Sequence, residues 1–110
     1  MDHKYDSLFT PWKIGNVTIK NRIVMTSMGG TSIFGWMEPN HFDKEAANFL
    51  LERAKNNVGL ILPGIAPIQN PIGGAWLYQN KGMYRKLKEF MTEFHKTGAK
   101  MFVQITAGFG

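Results

Sequence analysis

Cysteine is absent from this sequence. Its absence excludes a disulfide scaffold, a thiolate zinc site and an iron–sulfur cluster within this stretch. Also missing is any run approaching the roughly 20 apolar residues that span a bilayer. The opening Met1-Asp2-His3-Lys4-Tyr5-Asp6 carries no apolar stretch of the secretory type. A soluble, cytoplasmic chain with no membrane partner is therefore expected. Acids are scarce: 8 Asp and Glu stand against 13 Lys and Arg, a formal charge of +5. Length is short as well, since 110 residues fall below an average domain of about 150. Core material is plentiful, with 44% hydrophobic residues, 8 Phe, 7 Met, 3 Trp and 3 Tyr. This is globular sequence rather than a disordered tail.

The positive charge is concentrated. Lys81, Arg85, Lys86, Lys88, Lys96 and Lys100 fall within twenty residues that hold only Glu89 and Glu93 as acids. Such a face can attract a polyanion. No nucleic-acid motif accompanies it, and Arg85–Glu89 and Glu93–Lys96 stand at pairing distances along a helix. A solvated helix face with no nucleic-acid partner is the expectation.

Along the chain, Trp12 to Lys20 alternates around Gly15-Asn16, a pair suited to positive φ, and predicts a short β-hairpin over about 12–20. Arg22-Ile23-Val24-Met25-Thr26 predicts a buried strand over about 22–26. A Gly-rich loop, Gly29 to Asn40, carries Phe34, Trp36 and Met37. Asn40-His41-Phe42-Asp43 resembles a helix start, a capping residue followed three positions later by an acid. The helix runs over about 41–56, with Phe42, Ala46, Phe49, Leu50 and Ala54 as its apolar stripe. Asp43 and Glu45 near its start and Arg53 and Lys55 near its end suit the helix dipole.

Val58 to Leu62 is continuously apolar, as expected of a strand covered on both faces, and Pro63-Gly64 closes it. A second long loop over 66–80 carries Trp76 and Tyr78. The next helix spans about 83–97, with Leu87, Phe90, Met91 and Phe94 inward and Gly98 as its cap. Met101-Phe102-Val103-Gln104-Ile105 predicts a third strand over about 101–105. Strands alternating with helices in this way imply parallel pairing in an α/β fold. A complete eightfold barrel needs at least about 200 residues. The pattern therefore predicts a partial (βα)8 TIM barrel, with hairpin and β-α-β-α-β, as the N-terminal portion of a larger domain. Its open edge would be covered by the remainder of the barrel, or by a second copy in a homo-oligomer.

Three segments resemble a known family. Leu8-Phe9-Thr10-Pro11-Trp12-Lys13-Ile14-Gly15-Asn16 followed by Ile19-Lys20-Asn21-Arg22-Ile23-Val24-Met25 is similar to the opening of old yellow enzyme-type NADH:flavin oxidoreductases. Glu52-Arg53-Ala54-Lys55 with Val58-Gly59-Leu60-Ile61 matches the family's helix-to-strand step. Lys100-Met101-Phe102-Val103-Gln104 resembles its third strand. The resemblance implies an FMN-binding barrel that passes hydride from NAD(P)H through flavin to an activated C=C bond of a small enoate, enone or enoyl-CoA-like substrate.

The family's flavin-binding positions carry over to Ser27, Met28 and Gly29 after the first strand, Gly64 after the second and Gln104 at the third. Small residues let a flat ring approach closely. A Gln carboxamide can both donate to and accept from the pyrimidine edge of a flavin. Taken singly, Ser27 and Gly64 read as turn residues and Gln104 as a local hydrogen-bonding group. Their joint placement after successive strands sets them apart.

The Ser27-Met28 pair, where many relatives have Pro at the first position, points to the 2,4-dienoyl-CoA reductase and enoate reductase branch. That branch implies an iron–sulfur cluster and FAD in the complete protein, outside this segment. Gly29 stands where many relatives carry a Thr or Cys that tunes the flavin, and Ala107 where a His is common. No catalytic residue is expected in this segment, since the family's proton-donating Tyr and substrate-binding His residues lie later. His3, His41 and His95 read as structural or solvated. The chain alone is expected to be inactive and at best a weak flavin binder. The loop aromatics Phe34, Trp36, Trp76 and Tyr78 read first as loop packing and second as a pocket for an aromatic enoate. The alternative to an enzyme is a non-enzymatic α/β module acting through self-association or polyanion binding.

Overall fold

The computed structural model describes residues 4–28, 33, 42–64, 66–67 and 81–106. The loop residues Gly29, Phe34, Trp36, Met37, Trp76, Tyr78 and Ala107, with His3 and His41, lie outside them. After a 3-10 turn at Asp6–Phe9 come β1 (Trp12–Ile14) and β2 (Val17–Ile19), an antiparallel pair in which Ile14 faces Val17. The two-residue loop between them has Gly15 at φ +57. Positive φ at the first loop residue only is the arrangement of a II′ turn, so Gly15 alone needs the left-handed region and Asn16 does not.

The central sheet has three parallel strands in the order β3 (Val24–Met25), β4 (Leu60–Ile61) and β6 (Lys100–Met101). Each is entered from a helix or from the hairpin. Helix α1 (Lys44–Lys55) starts at Asp43, whose carboxylate accepts from the Ala46 N–H at 3.0 Å. The start is therefore three residues later than the Asn40 signal predicts. The Asp43 N–H donates to the Ile33 carbonyl at 3.2 Å, which pins this position as the cap. Helix α2 (Tyr84–Lys96) follows a 3-10 turn at Lys81–Met83 and ends before Gly98, at φ +86. That left-handed residue is the usual helix stop.

The core lies between the two helices and the sheet. Leu50, Ile61, Met83 and Phe94 are fully buried in it, with Ala46, Ala47, Ala54 and Ala99 filling the close approaches. Phe90 packs against the segment before α1, its ring 5.9 Å from Phe42, and lies 5.8 Å from Phe94 on its own helix. Phe49 is not part of this stripe. It is 39% exposed, with the Arg53 guanidinium 3.5 Å over its ring. Helical spacing places Phe49 at the edge of the apolar arc, and a cation–π contact covers it there.

The motif residues Lys20, Asn21 and Arg22 bind the hairpin to the rest. The Lys20 ammonium donates to the Thr97 carbonyl at 2.7 Å, at the negative end of α2. Asn21, 4% exposed, donates to the Asn57 carbonyl at 2.7 Å and accepts from the Ile23 N–H at 3.0 Å. Arg22 reaches back to Thr10 at 2.9 Å. Gly59 passes directly over Asn21, so that a Cβ there would overlap the Asn21 carboxamide.

Candidate flavin site

The site residues sit where the parallel ladder ends. Ladder bonds run from the Gly59 N–H to the Ile23 carbonyl at 3.0 Å and from the Leu62 N–H to the Met25 carbonyl at 2.9 Å. On the other side, Lys100 donates to Gly59 at 2.9 Å and Phe102 to Ile61 at 3.1 Å. Beyond Leu62 the pattern breaks at Pro63, which has no N–H to give. The Ser27 hydroxyl continues the connection, donating to the Pro63 carbonyl at 2.9 Å. Pro63 and Gly64 are buried, Ser27 is half-buried and Met28 is 50% exposed.

After Gly64 the chain re-forms a ladder with a different neighbour. Strand β5 (Ala66–Pro67) pairs in parallel with β7 (Ile105–Thr106). The Ala66 N–H donates to the Gln104 carbonyl at 2.8 Å. This corrects two sequence expectations. The stretch over 101–105 is not one strand but two short ones, joined through Phe102-Val103-Gln104. The segment from residue 66 opens as a strand rather than a loop. The physical reason is the same for both. Pro63-Gly64 turns the chain aside, and the segment after β6 must change partner to follow it.

Ser27 and Gly64 thus lie beyond the C-terminal end of the three-stranded sheet, tied through Pro63, and Gln104 lies on the bridge from β6 to β7, tied to Ala66. Gln104 is exposed, and its carboxamide has no partner among the described residues. Sequence reasoning missed Pro63 and Ala66, whose main-chain groups make the links. The only signal for them was a Pro-Gly pair two residues before a short apolar segment. Arrays of main-chain groups and one free carboxamide at the C-terminal ends of parallel strands can hold a flat heteroaromatic ring with mixed donor and acceptor edges. They offer no nucleophile and no acid–base pair.

Other parts of the surface carry less chemistry. A groove of about 400 Å³ between α1 and α2 is lined by Phe42, Ala47, Leu51 and Phe90, with Lys86 and Glu93 at its sides, and lies on the helix layer. On the basic face Lys96 is 2.9 Å from Glu93 and Arg85 3.8 Å from Glu89, all well exposed. Among the described residues no group of three His, Asp or Glu side chains is placed to hold a metal. No helix among them is long and apolar enough to cross a membrane.

Known proteins share the fold and the sequence pattern of this chain. Solved structures with the same fold include the old yellow enzyme of Trypanosoma cruzi, at TM-score 0.68 and 21% identity, covering 92% of this chain and 27% of that one. A variant of NCR from Zymomonas mobilis matches at TM-score 0.65 and 24% identity, over 91% of this chain and 32% of that one. The fold is that of part of the old yellow enzyme TIM barrel. Among sequence relatives, a cinnamate reductase of Clostridium sporogenes is 36% identical over all of this chain and 17% of its own length. An NADPH dehydrogenase of Bacillus velezensis is 34% identical over 89% of this chain and 29% of its own length. The chain thus spans under a third of these relatives. Residues 7–109 match the model of the NADH:flavin oxidoreductase / NADH oxidase family, and the chain belongs to that family.

Proposed function

We propose that the complete protein uses NAD(P)H and FMN to reduce the activated C=C bond of a small enoate, enone or enoyl-CoA-like substrate, and that this chain supplies one wall of its flavin site. The observation that carries this reading is the placement of Ser27 and Gly64 beyond the C-terminal sheet end, with Gln104 on the bridge that follows β6, in a chain of a flavin oxidoreductase family. Bound there, FMN supplies the hydride transfer.

The chain's own residues bind and orient. Ser27, Met28 and Gly64 would present main-chain groups to the ring, a role that the resemblance also gives Gly29. Gln104 donates to and accepts from its pyrimidine edge. The buried Pro63 and Gly64 keep water from that side. No residue here gives or takes a proton, and the groups that do so belong to the rest of the barrel. An iron–sulfur cluster and FAD, which the resemblance to the 2,4-dienoyl-CoA reductase branch implies, would also lie outside this cysteine-free segment. A cytoplasmic location fits this reading.

The relative named a cinnamate reductase favours an aryl enoate among the substrate classes. The test is NAD(P)H consumption by the FMN-loaded complete protein with cinnamate, a cyclic enone and an enoyl thioester in turn. Flavin-dependent turnover of at least one is expected, with cinnamate foremost. Turnover of none, with the flavin still reduced by NAD(P)H, would refute the ene-reductase reading.

A further inference from the structure

We propose that Ser27 is a positioning residue. Its hydroxyl is a strut that fixes the Pro63-Gly64 corner against the end of β3, and with it the wall on which the flavin rests. The inference rests on the flavin reading above and adds to it a role for the Ser27 side chain.

A parallel ladder that has made the Leu62 N–H to Met25 carbonyl bond would next place the Gly64 N–H on the Ser27 carbonyl, and that bond is not made. Main-chain pairing between β3 and β4 therefore stops just before the residues that would meet the ring. The Ser27 Oγ supplies the missing link at 2.9 Å, to a carbonyl that belongs to a fully buried proline. Without the hydroxyl, that carbonyl would be a buried acceptor with no described partner, a costly state.

A hydroxyl has one proton, and here it is committed to Pro63. Towards a ligand the Ser27 hydroxyl can offer only lone pairs, so this side chain is no donor to the flavin's carbonyl oxygens. It acts instead through Pro63 on the adjoining Gly64; separately, the Ala66 N–H donates to the Gln104 carbonyl at 2.8 Å. The Ser27 bond thus fastens the Pro63-Gly64 corner on one side, and the Ala66 bond fastens the segment after it on the other. Sites of this kind need their wall held to within about 0.5 Å, and a supporting hydrogen bond of this type does that.

The test uses the complete protein with Ser27→Ala and Ser27→Thr. Three quantities are read: the FMN dissociation constant by fluorescence quenching, the visible absorption spectrum of bound FMN, and amide hydrogen exchange at Ala66 without FMN. In Ser27→Ala, FMN binding is expected to weaken about ten-fold, the spectrum to shift and Ala66 to exchange faster. Ser27→Thr keeps the donor and should restore all three. A Ser27→Ala protein with lower melting temperature but unchanged FMN affinity and spectrum would overturn the positioning role. Unchanged Ala66 exchange in Ser27→Ala would overturn the strut itself. Wild-type protein that binds no FMN would instead refute the flavin reading, and the positioning role with it.

Discussion

Gly59 and Asn21 should be energetically inseparable. Replacing Asn21 by Ala removes its bonds to the Asn57 carbonyl and from the Ile23 N–H. At about 1 kcal/mol for each bond, the cost is about 2 kcal/mol. Replacing Gly59 by Ala drives a methyl group into the Asn21 carboxamide, whose Cγ would lie 2.9 Å from the new carbon. The carboxamide must leave, so the same bonds are lost, and overpacking raises the total to about 3 kcal/mol. Once Asn21 is Ala, the two atoms that the methyl group at position 59 would overlap are gone, and the residue-21 main-chain nitrogen stands 3.3 Å away. The double variant should therefore lose about 3 kcal/mol rather than the sum of about 5, a coupling near 2 kcal/mol. Urea denaturation of the four proteins followed by circular dichroism measures this directly. Losses that add to within about 0.5 kcal/mol would refute the reasoning, because independent sites behave that way.

Further outcomes follow from single contacts. Asp43→Ala should cost about 1 kcal/mol of stability and Asp43→Asn much less, since both Asp and Asn cap well; thermal melts decide it. Gly98→Ala should cost about 1 kcal/mol or more, because the new Cβ is held at φ +86 and comes within 3.2 Å of Lys20 Cδ; denaturant midpoints read it. Arg85→Gln should change stability by less than about 0.5 kcal/mol, since its pair with Glu89 is exposed, and salt titration of the melt should show no more than that. Gln104→Leu in the complete protein should weaken FMN binding about ten-fold by removing the carboxamide, read by flavin fluorescence.

Much of the scaffold is legible from residue order. The alternation around Gly15, the Leu50–Ala54 stripe, the Phe90–Phe94 face and the stop at Gly98 are local signals, and the chain obeys them. Local signals failed where two candidates were equally good locally. Asn40 and Asp43 are both capping residues, and a main-chain bond from Asp43 to Ile33 picks between them. Phe49 fits a helical stripe as well as Ala47 does, and only tertiary packing puts Ala47 inside. The apolar run over 101–105 gives no sign that its hydrogen-bonding partner changes midway.

The candidate site was legible through resemblance more than through chemistry. Ser27 and Gly64 carry no signal of their own. What links them is a hydroxyl-to-carbonyl bond between residues far apart in sequence, a feature that periodicity does not encode. The resemblance carries Gln104 over as a flavin contact at the third strand. The structure puts it instead on the bridge between two short strands, with its carbonyl engaged and its carboxamide exposed.

On the proposed function, FMN lies across the C-terminal ends of β3, β4 and β6. A crystal structure of the complete protein with FMN tests it most directly. The ring should lie against Met28, Gly29 and Gly64, with the Gln104 carboxamide within hydrogen-bonding distance of its pyrimidine edge and the Ser27 hydroxyl still on Pro63. A flavin bound away from these strand ends, or Gln104 turned from the ring, would contradict it.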